Sequence, residues 1–170
     1  MSGVPLGKRL KSMEFFVILL PVAITLHALA AVVWVGGMFF ALLVLRPALM
    51  DHQPPTRLRV WGQVFERFFA WVWLSILLLV LTGCMMVFVR FNGFNDAPLY
   101  IGFMHIVGWV MFVLYGFLYF GPYKKFKVEL AAENWPGAAP HLALIRRIVG
   151  ANLGLGLLVV ATAVSGEFWT

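Results

Sequence analysis

Residues 15–45 read Phe-Phe-Val-Ile-Leu-Leu-Pro-Val-Ala-Ile-Thr-Leu-His-Ala-Leu-Ala-Ala-Val-Val-Trp-Val-Gly-Gly-Met-Phe-Phe-Ala-Leu-Leu-Val-Leu, with no Asp, Glu, Lys or Arg among them. Crossing a bilayer as a helix takes about 20 apolar residues, so this stretch is long enough to span and to spare. Lys8, Arg9 and Lys11 precede it as they would in a signal peptide, but the apolar part is too long for one and runs straight into Arg46-Pro47. It predicts a retained helix whose membrane core lies near 21 to 44, with 15–20 at the interface.

The rest of the chain follows the same pattern. Apolar stretches recur near 68–89, 99–121 and 148–168, and the 170 residues are 62% hydrophobic and 12% charged. A soluble domain averages about 45–50% apolar and about 25% charged. The sequence therefore predicts one all-α, integral membrane four-helix bundle over 1–170, running up-down-up-down, with no separate water-soluble domain. The connections at 46–67 and 122–147 read as basic amphipathic loops. Asp51-His52-Gln53-Pro54-Pro55 and Asn134-Trp135-Pro136-Gly137 mark turns, and Trp61, Phe65, Phe68 and Phe69 lie among basic residues as in a short interfacial helix.

The net charge of +6 orients the bundle. The N-terminus and the connection after the second span carry four cations, Lys8, Arg9, Lys11 and Arg90. The two long connections carry nine: Arg46, Arg57, Arg59, Arg67, Lys124, Lys125, Lys127, Arg146 and Arg147. The positive-inside rule then places both long connections in the cytoplasm and both termini outside. Charge that flanks apolar spans orients a membrane protein, so no nucleic-acid partner is expected. The single cysteine, Cys84, excludes an internal disulfide and a CxxC zinc site, and reads as a small packing residue.

Two histidines fall inside spans. Leu26-His27, a Trp at 34 and Arg46-Pro47 in the first span find echoes in Met104-His105, Trp109 and Gly121-Pro122 in the third. That order predicts two repeated helical hairpins about an axis along the membrane normal. His27 and His105 each lie about six residues into the core, roughly 9 Å deep at 1.5 Å per residue, in the outer half and facing the interior. An ionisable group at that depth marks a functional site by default. Alternatively, each histidine only hydrogen-bonds a neighbouring helix.

Two cofactors suit such a pair. The first and third helices of a bundle lie diagonally, roughly 11–14 Å apart, and two histidines across that diagonal can clamp haem b, with Ala31 and Gly108 leaving room for a ring. Copper is the alternative, with thioether sulfur as a soft Cu(I) ligand. Met38, Met85, Met86, Met104 and Met111 lie in spans, Met38 three turns after His27 on the same face. Methionine in an apolar helix otherwise packs.

The remaining features read structurally. Gly36, Gly37, Gly150, Gly154 and Gly156 permit close helix contact. Asn152 can bond a histidine or a backbone carbonyl. His52 and His141, in the long connections, are either solvated or receive a metal at the cytoplasmic mouth. No span carries a carboxylate, which disfavours a proton pump built on intramembrane Asp or Glu.

Leu26-His27-Ala28-Leu29-Ala30-Ala31-Val32-Val33-Trp34-Val35-Gly36-Gly37-Met38-Phe39-Phe40, followed by Arg46-Pro47, resembles the opening of the bacterial CopD (copper resistance protein D) family. The likeness extends over the Phe- and Arg-rich approach to the second span, Arg146-Arg147 and Asn152-Leu153-Gly154. It implies a bacterial inner-membrane protein of copper transport or tolerance, with His27 the position carried over; the reading of the residues adds His105, Met38 and Met104 as candidate metal contacts. Larger CopD proteins have additional helices, so a four-span form implies a homo-oligomer or a membrane partner. The chain is also distantly similar to HemJ-type protoporphyrinogen oxidases, four-helix membrane proteins with b-type haem, but has Leu45-Arg46-Pro47 in place of their Leu-Pro-Arg element. That resemblance implies the haem-binding redox alternative, as an electron carrier or as an enzyme.

Overall fold

The computed structural model describes the backbone over residues 6–168 and the side chains over 18–168. Lys8, Arg9 and Lys11 lie outside the described side chains. Helix α1 (Leu6–Phe39) passes through a π-helical turn, Phe40–Leu45, into the short α2 (Arg46–Ala48). Helix α3 (Pro54–Phe91) and α4 (Leu99–Leu118) follow. A second π-helical turn, Tyr119–Tyr123, leads to α5 (Lys124–Ala131), and α6 (Trp135–Ser165) completes the chain before a 3₁₀ turn at Gly166–Phe168. Four helical stretches, Ile18–Ala48, Pro54–Phe91, Leu99–Ala131 and Trp135–Phe168, are long and apolar enough to cross a membrane. The all-helical, four-span expectation holds.

Local chemistry sets the boundaries. Helix α3 opens on Pro54-Pro55 after Gln53 in extended conformation, where a missing N–H costs nothing. It ends at Asn92 and Gly93, both with positive φ (57° and 129°), a left-handed stop. The side chain of Asn134 caps α6 by accepting the Gly137 N–H at 3.2 Å. Both π-helical turns sit at a proline, Pro47 or Pro122. Proline lacks the donor that the ladder needs, and in the first turn the Arg46 N–H reaches back five residues to the Ala41 carbonyl.

The connections differ from the expected loops. Arg57 to Phe69 is the first part of α3, because no breaker stands between Pro55 and Phe91 and the apolar residues Leu58, Trp61, Phe65, Phe69 and Val72 keep one buried face throughout. Likewise 135–147 is the start of α6. At 1.5 Å per residue α3 is about 57 Å long, so it projects well beyond a hydrocarbon core of about 30 Å.

Helix α1 packs along α3, α4 along α6, and α6 also meets α1 and α5. Gly37 admits the ring of Phe68, and Gly156 admits Val35, whose Cγ2 would stand 2.9 Å from a Cβ there. Gly36 and Gly154 meet nothing, so of the expected small-residue contacts these two are unused. Leu29, Val32, Leu77, Leu81, Ile106 and Val113 point outward, an apolar exterior that fits lipid and not water.

Candidate intramembrane histidine site

Three consecutive residues of α3, Thr82, Gly83 and Cys84, meet both intramembrane histidines. From α1, His27 brings Nδ1 to 2.9 Å from Thr82 Oγ1. The Thr82 hydroxyl spends its one hydrogen on the Leu78 carbonyl. Its oxygen therefore accepts, Nδ1–H of His27 donates, and the lone pair of His27 sits on Nε2. This is how an outer partner fixes the tautomer of a metal-binding histidine. Gly83 gives the ring its place, since a Cβ there would stand 3.2 Å from His27 Cε1.

From α4, His105 turns Nε2 toward Cys84 Sγ at 4.0 Å. The Phe94 ring meets it nearly edge-on, 4.7 Å between centroids. His27 and His105 are both half-buried. Contact with successive residues of one helix puts the two histidines at one depth.

The expected thioethers separate. Met104 is half-buried beside His105 in the chain. Met38 is 2% exposed, in the core with Trp34 and Met111. Eleven residues from His27, it lies about 16 Å along the axis, too far to share an ion with that ring. Met85 and Met86 follow Cys84, both half-buried. Asn152 donates to the Met111 carbonyl at 3.2 Å, the backbone alternative and not a histidine bond. His52 is exposed in the first turn, and His141 lines an open cavity of about 240 Å³ with Lys124, Lys125, Val128 and Glu129, where two lysines oppose a cation.

Thr82 and Cys84 escaped the sequence reading. A threonine in an apolar helix ordinarily bonds its own backbone, as Thr82 also does, and a lone cysteine looks like packing. Their signal was adjacency: the one cysteine of the chain stands two residues after a threonine at the depth of the histidines. Among the described residues no group of three or more His, Cys, Asp or Glu is placed to hold a metal. The donors offered here are imidazole nitrogen and thiol sulfur, which suit a soft ion such as Cu(I) held by few ligands.

Four apolar helices with an apolar exterior and inward-facing imidazoles define a multi-pass membrane protein. The chain belongs to the CopD family, copper resistance protein D, which it matches over residues 62–165. The matched region includes Thr82, Cys84 and His105, while His27 lies before it. An uncharacterized protein of Aquifex aeolicus (strain VF5) is 37% identical over 73 residues, 42% of this chain and 50% of that protein. The chain thus matches about half the length of that curated relative. No solved structure matches it.

Proposed function

We propose that this protein moves or buffers copper in a bacterial inner membrane, with Cu(I) as its cargo and His27 and His105 as the donors that receive it. The observation that supports this most is the His27–Thr82 bond, which commits Nδ1 and leaves Nε2 as the donor nitrogen of His27, while Nε2 of His105 stands 4.0 Å from the Cys84 thiol on the same turn of α3. A site of few soft ligands binds well enough to admit an ion and loosely enough to release it, as conduction requires. Met104 serves as an adjoining thioether. The charge asymmetry favours periplasmic termini, with the histidines on the periplasmic side and the basic ends of α3, α5 and α6 in the cytoplasm. In an assembly, a second copy or a membrane partner completes the path.

The test joins cells and purified protein. In a strain lacking the native gene, the wild-type chain is expected to change copper tolerance and accumulation, and His27→Ala to lose that effect. The detergent-solubilised protein is expected to bind Cu(I) in a His27- and His105-dependent manner. Equal copper retention by both variants and the wild type would overturn the reading. The haem alternative draws no support from the observed site, where Nε2 of His105 faces a thiol. A b-type reduced-minus-oxidised spectrum lost in His27→Ala and His105→Ala would establish haem in place of copper.

A further inference from the structure

The hairpins share more than their histidines. Leu79-Val80-Leu81-Thr82-Gly83 near the end of α3 parallels Val159-Val160-Ala161-Thr162-Ala163 near the end of α6, each setting a threonine before a small residue. Seven residues after His27 and His105 stand Trp34 and Phe112, and these rings stack on each other, centroids 5.6 Å apart and 19° from parallel. The counterpart of Trp34 in the second hairpin is therefore Phe112 and not Trp109, which is half exposed.

The register of α4 against α6 completes the correspondence. A Cβ on Gly166 would meet the Tyr100 ring, and one on Gly156 would lie 3.3 Å from Met111 Cε. The helices run antiparallel, so four residues before Gly166 and four after Tyr100 come level. Those positions are Thr162 and Met104, the neighbour of His105. Thr162 is 1% exposed, and its hydroxyl oxygen has no hydrogen-bond partner. A buried hydroxyl left unpaired is costly, and such groups normally have a partner. Among the described residues, nothing bonds Nδ1 of His105 either.

We propose that Thr162 is the positioning residue of His105: the two stand unbonded in this structure, and a side-chain rotation that lets the hydroxyl oxygen take the Nδ1–H makes Nε2, already turned toward Cys84, the donor nitrogen. Helix α6 then does for His105 what α3 does for His27. The purpose assigned to this bond rests on the copper reading, whereas the bond itself does not.

The deciding measurement is nitrogen-15 NMR of histidine-labelled, metal-free full-length protein in micelles, above the pH at which imidazole protonates. His27 and His105 are both expected as Nδ1–H tautomers, whereas free histidine prefers Nε2–H. Thr162→Val should move His105 alone toward Nε2–H, Thr162→Ser should restore the wild-type signal, and Thr82→Val should move His27 alone. Thr162→Val is also expected to weaken Cu(I) binding by about 10–100-fold, the usual effect of losing such a partner. An Nε2–H His105 in the wild-type protein overturns the proposal without any variant, as does a His105 signal unchanged by Thr162→Val. If the histidine variants retain copper as the wild type does, the copper reading fails and the tautomer result still decides the bond.

Discussion

The two ends of the bundle are built on opposite plans. Around the basic connections, rings interlock: Phe65, Phe69, Tyr115, Tyr123 and Phe126 are each at most 5% exposed, and Phe69 meets Tyr123 edge-on at 4.7 Å and Tyr115 at 5.6 Å. Tyr115 adds a hydrogen bond to the Phe69 carbonyl at 3.1 Å. At the other end stand half-buried imidazoles and a thiol, with buried threonine hydroxyls, around the bare backbone of Gly83. Lipid tails are as apolar as a helix face, so helices in a membrane hold together by close packing and polar bonds. Concentrating packing in an aromatic clasp at one end leaves the other free to carry polar groups that pack less tightly.

Substitutions can break that contrast, and the largest effect belongs to the clasp. Phe69→Ala should cost about 3–5 kcal/mol, as such truncations do in cores, read as a lower denaturant midpoint in micelles, while the proposed His27-dependent copper binding should persist in the folded fraction. Equal losses of stability from Phe69→Ala and His27→Ala would erase the distinction between the ends. Next comes Gly83→Ala: a methyl 3.2 Å from His27 Cε1 displaces the ring. Copper affinity should fall about tenfold, which is about 1.4 kcal/mol, with little change in unfolding. Tyr115→Phe removes one hydrogen bond from the clasp and should lower stability by about 1 kcal/mol, leaving copper binding intact. The smallest effect is expected at the exposed Arg59–Glu133 pair, 2.7 Å apart with side chains 58% and 68% exposed. Glu133→Gln should shift stability by under about 1 kcal/mol, and the shift should vanish in high salt.

The four spans were legible because apolar runs without charge have one physical meaning in a chain of this composition. The shared depth of His27 and His105 was legible for a related reason, since position along a helix is simple arithmetic. Other features were hidden by side-chain direction and by what stands opposite. Met38 shares the buried stripe of α1 with His27, but three turns apart they serve different layers. Matching Trp34 to Trp109 followed residue identity, whereas the stacked ring that answers Trp34 is Phe112. The length of α3 was hidden because basic residues at 57, 59 and 67 look like the end of a span, although the buried apolar spacing runs on beneath them.

The run Thr82-Gly83-Cys84 has a mechanical consequence. Successive helical residues point about 100° apart, so one turn of α3 serves two histidines held by two other helices. Any twist or slide of α3 that re-aims Thr82 at His27 must also carry Cys84 past His105, and the two contacts are geared to a single shaft. That shaft continues unbroken to Pro54, so the helix that meets both rings is also the one whose far end pairs Arg59 with Glu133.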